Sequence, residues 1–307
     1  MNRISSLEEW KNFCKNRETG VTIGNFDGVH LGHQQLLTRF KQRCAAKDLV
    51  PAVFTFRPHP ELYFNPQKNH LLTRYERKLK IIQGLGLENL VEVAFDENIR
   101  KLTGEDFAKE WLFARQGLKM LWAGHDFTFG RDKEDPAAVL ARQKRDVEFK
   151  KIQAFKLDGE VVSSSLIRNA LLEGSIEKAN RLLGRRYSLL ANVVHGKKLG
   201  RELGFPTLNL DLDYPALIPG EGVYAISCLL DGKSFQGAMN VGKNPSTDQS
   251  GGIKLEAHLF DFNEKAYGKD VEIFFESFIR DEKKFESLEQ LKAQIASDVL
   301  KIKERLN

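Results

Sequence analysis

The sequence of 307 residues changes its pattern near residue 184, and this change limits the fold more than any other feature. Before that point, short apolar runs with strand character alternate with segments of helical spacing. After it, short apolar runs recur with Gly, Pro, Asn and Asp between them, and the Asp231-Gly232 pair is typical of a β-hairpin turn. We therefore predict two domains, which cover residues 1–184 and 185–307.

The two patterns predict different architectures. In the first domain, alternating strands and helices indicate βαβ units, and hence a mostly parallel sheet with helices on both faces. The predicted strands cover residues 21–23, 51–56, 91–95 and 119–123, and the predicted helices cover 33–44, 74–83, 104–116, 164–173 and 176–183. The second domain is predicted to be a small antiparallel barrel or sandwich with runs at 188–194, 222–230, 234–241, 254–262 and 271–279. A terminal α-helix over 287–306, capped by Ser287, follows it.

Composition excludes several classes of protein. Lys and Arg outnumber Asp and Glu by 47 to 42, and the first 185 residues hold this excess, with 31 basic and 24 acidic side chains. That mild positive charge suits a polyphosphate substrate but is too weak to predict nucleic-acid binding. No apolar run approaches the roughly 20 residues that cross a bilayer, so we expect a cytoplasmic protein without a membrane partner. The three cysteines are far apart and predict neither a disulfide framework nor a metal site.

Residues 24–33 (GNFDGVHLGH) form the most specific motif of the chain. They lie between a predicted strand and a predicted helix, where glycines admit phosphate oxygens and a helix start offers N–H donors. His30 and His33 are three residues apart, so both imidazoles can face one side and stabilise charge on a reacting phosphate. Alternatively, Gly28 and Gly32 serve turns, and each histidine is structural or binds zinc.

The second domain lacks the Walker P-loop motif, so a P-loop kinase is not expected. Instead, residues 195–210 (HGKKLGRELGFPTLNL) combine glycines and lysines in a cationic loop that leads into a strand. Thr207 and Asn209 alternate on that strand and so share one face. Their oxygens are hard ligands suited to Mg²⁺, although polar strand residues that face water would show the same pattern.

Glu256 is the candidate base of the second domain. The alternation in residues 254–262 places Glu256, His258 and Phe260 on one face of a strand. A carboxylate near the cationic loop could remove a proton from a substrate hydroxyl. A solvent-facing strand glutamate explains the same residue.

These motifs together resemble a known family. The motif in 24–33 resembles the HxGH signature of the nucleotidylyltransferase superfamily, in the extended form found in bacterial bifunctional riboflavin kinase/FAD synthetases. Segments 55–60 (TFRPHP), 124–130 (GHDFTFG) and 163–168 (SSSLIR) resemble further motifs of that family, in order. Segments 195–210, 240–247, 255–262 and 278–285 resemble motifs of its riboflavin kinase domain.

The resemblance implies a Rossmann-like nucleotidylyltransferase domain followed by a riboflavin kinase barrel. The second domain would phosphorylate riboflavin to FMN, and the first would transfer the adenylyl group of ATP to FMN, each with Mg²⁺. Glu256 would be the kinase base, and His30 and His33 would serve adenylyl transfer. The implied ATP-binding residues are Gly24, Phe26, Asp27, Gly28, Gly32, Ser164, Ser165, Arg168, Gly200, Gly204 and Pro206. The implied flavin contacts are Pro58, Asp126, Phe127, Phe129 and Arg280, and the implied Mg²⁺ ligands are Thr207 and Asn209.

Several of these assignments have simpler alternatives. Ser164 and Arg168 could be a helix N-cap and a surface residue, and Phe127 and Phe129 could pack in the core. The chain also departs from the family pattern, because Ser165 replaces the usual Thr and residues 131–136 (RDKEDP) contain no glycine. A single-activity enzyme with one impaired domain, or a flavin- or nucleotide-binding regulator, therefore stays as an alternative function.

Overall fold

The computed structural model describes residues 1–113, 117–143, 146–196, 200, 204–243 and 253–306, and these residues form two units. The first unit consists of Met1–His70 and Tyr75–Ser163, and the second consists of Leu71–Arg74 and Ser164–Asn307. The two helices that we predicted between residues 164 and 183 thus belong to the second unit. The domain boundary after residue 184 stays a prediction.

The first unit contains a six-stranded sheet in which every pairing is parallel. Its strands are β1 (Asn2–Ile4), β2 (Thr19–Ile23), β3 (Val50–Arg57), β4 (Asn89–Ala94), β5 (Leu118–Ala123) and β6 (Glu148–Lys151). Their spatial order is β1-β4-β3-β2-β5-β6. The chain runs from β2 through β3 to β4 on one side and continues with β5 and β6 on the other, so the strand order reverses at β2.

Helices cover both faces of this sheet. They are α1 (Leu7–Phe13), α2 (Leu31–Ala45), α3 (Pro60–Phe64), α4 (Tyr75–Gly84), α5 (Glu97–Lys101), α6 (Gly104–Phe107) and α7 (Pro136–Arg142). Successive strand residues point to opposite faces, and here they enter two different cores. On β3, Phe54 lies in one core with Trp10 of α1, whereas Val53 lies in the other with Leu37 of α2. The predicted α/β class is confirmed.

The helix predicted over residues 104–116 is irregular in its described part, and residues 114–116 of the prediction lie outside the described residues. The segment Ala108–Leu112 is π-helical, and the Phe113 N–H donates to the Ala108 carbonyl at 2.8 Å. The strands β1 and β6 and the hairpin of β7 (Lys156–Leu157) and β8 (Glu160–Val161) were not predicted from the sequence. Each of these strands has four residues or fewer, which is too short for a periodic pattern to stand out.

The second unit contains a closed barrel of six antiparallel strands, which decides between the predicted barrel and sandwich. The strands are β9 (Tyr187–Val194), β10 (Leu208–Asp211), β11 (Gly222–Leu230), β12 (Lys233–Lys243), β13 (Ile253–Leu259) and β14 (Asp270–Arg280). Their order around the barrel is β10-β13-β12-β11-β14-β9. Asp231 and Gly232 join β11 to β12 with φ values of 50° and 78°, as a tight hairpin turn of this type requires.

The described residues of the second unit also form the helices α8 (Ser164–Leu172), α9 (Ile176–Leu183) and the terminal α10 (Leu288–Leu306). Ser287 caps α10 as predicted, because its Oγ accepts the Gln290 N–H at 3.2 Å. Asp298 on α10 is only 3% exposed, and its carboxylate binds the Arg280 guanidinium of β14 at 2.8 and 2.9 Å. A buried ion pair therefore joins the terminal helix to the barrel.

Asp298→Ala is expected to lower the free energy of unfolding by about 3 kcal/mol, near the lower end of the range for removing one partner of a buried ion pair. The lower end applies because the Arg280 side chain keeps 15% exposure to solvent. Equilibrium unfolding in urea measures the change. Glu304→Ala on the exposed side of α10 is the control, and an equal cost for both variants would contradict the stabilising role of the pair.

The three cysteines, Cys14, Cys44 and Cys228, are buried thiols. Burial raises the pKa of the Cys44 and Cys228 thiols to about 12, so these two side chains are inert thiols at neutral pH. Buried thiols of this kind behave as small apolar side chains that pack in the core.

Candidate active sites

The predicted phosphate loop leaves the carboxyl end of β2, the strand at which the strand order reverses. Ligands of open α/β sheets bind in the crevice at such a point, outside the carboxyl ends of the strands. The neighbours β3 and β5 pair with β2 up to its last residue, so the segments that begin at Pro58 and Gly124 leave the same edge of the sheet. The structure thus brings together three motif segments that lie far apart in the sequence.

The loop after β2 is tightly folded. Gly28 takes a φ of 81°, and the non-glycine residues Phe26 and Val29 take left-handed φ values of 50° and 37°. Backbone strain of this kind clusters at binding and catalytic sites, where the surrounding structure holds it in place. Asp27 is buried within the loop, Gly24 follows β2 directly, and Gly32 lies in the first turn of α2.

The two histidines of the motif form a stacked pair at the start of α2. His30 caps the helix, because its Nδ1 accepts the His33 N–H at 3.3 Å. An accepting Nδ1 places the proton of the neutral ring on Nε2. The ring centroids of His30 and His33 are 3.7 Å apart and their planes differ by 15°. Both rings therefore face one side of the loop, as their spacing predicts.

A lysine that the sequence analysis did not single out lies beneath the loop. Lys78 of α4 is 7% exposed, and its Nζ donates to Thr55 Oγ1 at 3.0 Å and to the Asn25 carbonyl at 3.2 Å. Burial lowers the pKa of Lys78 to about 8, although the charge of Asp27 acts in the opposite direction. A sequence signal did exist: Lys78 lies four residues before the buried Ile82, on the apolar face of α4.

Asp27, His59 and His70 also come together at this edge. One potential ligand atom from each lies within 4.8 Å of the other two. This mixed set suits a transition metal better than Mg²⁺, which prefers oxygen ligands. His59 Nδ1 accepts the Glu61 N–H at 3.2 Å, however, which puts the ring proton on Nε2 and opposes metal binding there. We assign no metal to these residues, and His70 was not foreseen from the sequence.

The predicted flavin contacts of the first unit differ in exposure. The Asp126 side chain is 82% exposed, and Pro58 lies just beyond β3 at the same edge of the sheet. Phe127 is half-buried, whereas Phe129 is 1% exposed and belongs to the core. The two rings meet edge to face at 5.4 Å. Phe129 thus packs as the simpler alternative expected, and contact of these residues with a flavin stays a prediction.

The glycine-free segment 131–136 forms an ordered turn. The backbones of Phe129 and Glu134 exchange two hydrogen bonds of 2.9 Å, and Lys133 takes the left-handed φ of 54° that a glycine adopts more easily. Each acidic residue has a structural partner: Asp132 accepts the Gly104 N–H at 3.0 Å, Glu134 lies 2.7 Å from Arg142, and Asp135 accepts the Ala137 N–H at 2.8 Å. The turn contains one glycine, Gly130, with a φ of 63°, and it closes although residues 131–136 add no further glycine.

Ser164, Ser165 and Arg168 occupy the first five residues of α8 in the second unit. Ile167 between them is buried, so the polar residues lie on the other sides of the helix. Their binding of phosphate stays a prediction.

Glu256 lies in the middle of a polar row on the outer face of the barrel. Residues of β13 alternate as predicted, with Leu255 and Ala257 buried on the inner face. The strand register places Glu256 opposite Asn209 of β10 and opposite Asn240 of β12. Glu256 Oε1 lies 2.8 Å from the Lys254 Nζ, and a quarter of its side chain is exposed. A solvent-accessible carboxylate thus stands between two carboxamides.

The segment before β10 contains the other described residues of the predicted kinase site. The Phe205 N–H donates to the Gly200 carbonyl at 2.8 Å, and a Cβ at Gly200 would lie 2.5 Å from the Phe205 carbonyl oxygen, so glycine is required there. The Pro206 carbonyl accepts a hydrogen bond from His258 Nδ1 at 2.8 Å. Gly204 lies in the turn before Pro206, and Thr207 directly precedes β10. The loop lysines Lys197 and Lys198 and residues 244–247 of the second motif lie outside the described residues.

Arg280, a predicted flavin contact, already has several partners. Its guanidinium binds Asp298 through two nitrogens and donates to the Asp281 carbonyl at 2.9 Å. The group also lies over the Phe285 ring at 5.9 Å. A flavin role for Arg280 stays a prediction, and the sequence analysis did not foresee its partner Asp298.

Comparisons with known proteins identify the family of each part of the chain. Two family models match the chain: FAD synthetase over residues 13–166 and riboflavin kinase over residues 183–306. Curated relatives carry the name bifunctional riboflavin kinase/FMN adenylyltransferase. They include proteins of Pseudomonas fluorescens (36% identity, 91% of this chain and 90% of the relative), Escherichia coli K12 (36%, 92% and 91%) and Bacillus subtilis (35%, 91% and 89%).

A solved structure from Streptococcus pneumoniae shares the whole fold. It matches with a TM-score of 0.83 and 30% identity, over 97% of this chain and 97% of that chain. That protein is named macrolide-efflux protein, whereas the curated relatives carry the name of a flavin enzyme. Within the described ranges of this chain, none of the helices has both the length and the apolar character to cross a membrane.

Proposed function

The chain belongs to the family of bifunctional riboflavin kinase/FMN adenylyltransferases, and we propose which residues of each domain carry its two reactions. It phosphorylates riboflavin to FMN in the riboflavin kinase domain and transfers the adenylyl group of ATP to FMN in the FAD synthetase domain. The substrates are thus riboflavin, FMN and ATP, and the products of the second step are FAD and pyrophosphate.

The two reactions require different help from the protein. The alcohol of riboflavin is a poor nucleophile at neutral pH, so its phosphorylation benefits from a positioned base. The phosphate of FMN is largely dianionic at neutral pH, since its second pKa is about 6. It can attack the α-phosphorus of ATP without a base, so the second reaction needs positioning and charge stabilisation. This difference agrees with a carboxylate in the barrel and histidines at the phosphate loop.

Glu256 is the proposed base of the kinase reaction. Its carboxylate accepts the proton of the riboflavin 5′-hydroxyl as that oxygen attacks the γ-phosphorus of ATP and ADP leaves. The supporting observation is the strand register, which puts Glu256 directly opposite Asn209 on the accessible face of the barrel. The Lys254 Nζ lies 2.8 Å from Glu256 Oε1 on the same strand.

Thr207 and Asn209 are the proposed Mg²⁺ ligands. The donor set fits this metal, because hydroxyl and carboxamide oxygens are hard ligands. Mg²⁺, when bound with ATP, neutralises phosphate charge at the reacting group. Asn209 presents its carboxamide beside Glu256 in the register of β10 and β13, so the metal ligand and the base belong to one surface. Gly200, Gly204 and Pro206 are proposed to shape the ATP-binding loop before this strand.

His30 and His33 are the proposed charge-stabilising groups of adenylyl transfer. The stacked pair stands at the start of α2, where helix N–H groups also favour anions. The Nε2–H of His30 is a donor suited to a phosphate oxygen. We further propose Gly24, Phe26, Asp27, Gly28, Gly32, Ser164, Ser165 and Arg168 as ATP-binding residues, and Pro58, Asp126, Phe127, Phe129 and Arg280 as flavin contacts. The resemblance of their motifs to those of the family supports these binding residues. The cytoplasmic location of the protein stays a prediction.

Incubation of the pure protein with riboflavin, ATP and Mg²⁺ tests the assignment. We expect FMN to form first and FAD to follow, and we expect supplied FMN to give FAD without riboflavin. Chromatography separates the three flavins. Removal of Mg²⁺ with EDTA is expected to stop FMN formation. FMN without FAD would support the single-activity alternative, and the absence of both products would support the regulator.

A further inference from the structure

Lys78 is a buried charged residue that the two proposed reactions do not use. Lysine is almost never fully buried unless it is paired, since moving an ammonium group out of water is costly. Lys78 is nonetheless only 7% exposed, and its side chain lies between the backbone of its own helix, α4, and the loop after β2. A chain that keeps such a group needs a gain elsewhere that outweighs the cost, and Lys78 contacts the phosphate loop directly.

The contacts of Lys78 connect it to that loop. Its Nζ donates to the Asn25 carbonyl at 3.2 Å, and Asn25 is the second residue of the phosphate motif. The same Nζ donates to Thr55 Oγ1 at 3.0 Å, and Thr55 belongs to β3. Lys78 therefore connects the loop after β2 to the neighbouring strand β3. Its contact in the loop, Asn25, precedes Asp27 by two residues and His30 by five.

The charges around Lys78 do not cancel it in a simple pair. Asp27 and Glu92 favour its protonated form, whereas Arg57 disfavours it. Glu92 already lies 3.7 Å from Arg57, and the Tyr75 ring lies 4.9 Å from the Lys78 ammonium. Burial has the largest effect on this group and lowers its pKa to about 8. Near neutral pH the ammonium group is thus charged at a desolvation cost.

We propose that Lys78 is a positioning residue for adenylyl transfer, which holds the Asn25 carbonyl and places a positive charge beneath the loop where the ATP phosphates bind. The inference rests on the proposed function of residues 24–33 as the ATP-binding loop. The ammonium group acts through the loop rather than on the reacting atoms. Its charge also lowers the electrostatic cost of bringing a polyanion to that edge of the sheet.

A merely structural lysine would behave differently from a positioning one. Thr55 Oγ1 itself donates to the Asn25 carbonyl at 3.2 Å, so this carbonyl keeps a partner when Lys78 is replaced. Lys78→Met also removes the desolvation cost of a buried charge. We therefore expect Lys78→Met to keep or raise the Tm while it impairs FAD formation, whereas loss of a structural residue would lower the Tm.

The test measures FAD formation from FMN and Mg·ATP by the full chain. Lys78→Met is expected to lower kcat/KM for ATP by about 10- to 100-fold, the factor that corresponds to one hydrogen bond from a charged donor. FMN formation from riboflavin should stay unchanged. Lys80→Met is the matched control, because Lys80 lies on the exposed side of the same helix and carries the same charge. Lys78→Arg, which keeps a positive charge, is expected to restore part of the activity.

The pH dependence of kcat/KM for FAD formation distinguishes a positioning role of Lys78 from a merely structural one. Because the pKa of Lys78 is about 8, wild-type kcat/KM for FAD formation should fall as the pH rises through that value. This limb should vanish in Lys78→Arg, whose guanidinium stays charged. Wild-type kcat/KM in Lys78→Met, or a limb that persists in both variants, would overturn the inference. His33→Ala distinguishes the proposed function of residues 24–33 from the proposed role of Lys78. If His33→Ala abolishes FAD formation while Lys78→Met does not, only the role of Lys78 is contradicted.

Discussion

Glu256→Gln is expected to lower the rate of FMN formation by about 10²- to 10⁴-fold, the usual contribution of a positioned general base. The amide keeps the size of the side chain and can still hydrogen-bond, but it cannot accept the proton of the riboflavin hydroxyl. The substitution leaves the inner face of β13 unchanged, because Glu256 lies on the outer face, opposite Asn209 and Asn240. Initial rates of FMN formation with saturating Mg·ATP measure the effect.

Two controls separate the loss of a base from the loss of the fold. Glu256→Gln should spare the formation of FAD from supplied FMN, since that reaction uses the other domain. Glu264→Gln removes the same charge from an exposed position on the same unit and should leave FMN formation unchanged. A Glu256→Gln protein that still makes FMN within a few-fold of the wild-type rate would show that Glu256 is not the base.

His33→Ala is expected to lower FAD formation from FMN by about 10²- to 10³-fold, the range for removing one preorganised donor to developing charge. The imidazole of His33 stacks on that of His30 at 3.7 Å, so the substitution also removes the support of the second ring. The helix cap should survive, because the backbone N–H of residue 33 still donates to His30 Nδ1. We therefore expect a loss in kcat with little change in the Tm.

The reciprocal activity is again the internal control, because His33→Ala should convert riboflavin to FMN at the wild-type rate. Thr38→Ala, on the exposed side of α2, tests whether any change in this helix has the same effect. Retention of FAD formation in His33→Ala, or equal losses of FMN and FAD formation, would contradict the assignment of this motif.

The parts that could be predicted from the sequence are those that depend on neighbours along the chain. The spacing of His30 and His33 already places both rings on one side of a helix start, and the stacked pair bears this out. Alternation along β13 likewise put Glu256 on the opposite face from Leu255 and Ala257. The Asp231-Gly232 turn followed from the backbone preferences of two residues.

The parts that could not be predicted depend on partners that are distant in sequence. The partner of Arg280 is Asp298, on a separate helix, and the two residues share no local pattern. Lys78 differs from an ordinary surface lysine because it is buried against Asn25 and Thr55, which belong to other structural elements. Asp27, from the loop after β2, meets His59 and His70, which both follow β3 and are eleven residues apart.

For this protein, the amino-acid sequence alone determined the two domain types, the order of most helices and strands, and the motifs that we propose to carry the chemistry, because local periodicity and turn preferences act over a few residues. Only the tertiary structure decided that β2 lies where the strand order reverses. It also decided that Asn209, Glu256 and Asn240 align across three strands, and that Lys78 is buried beneath the phosphate loop. Strand order, cross-strand register and burial are set by packing between residues far apart in the chain, which no local pattern records.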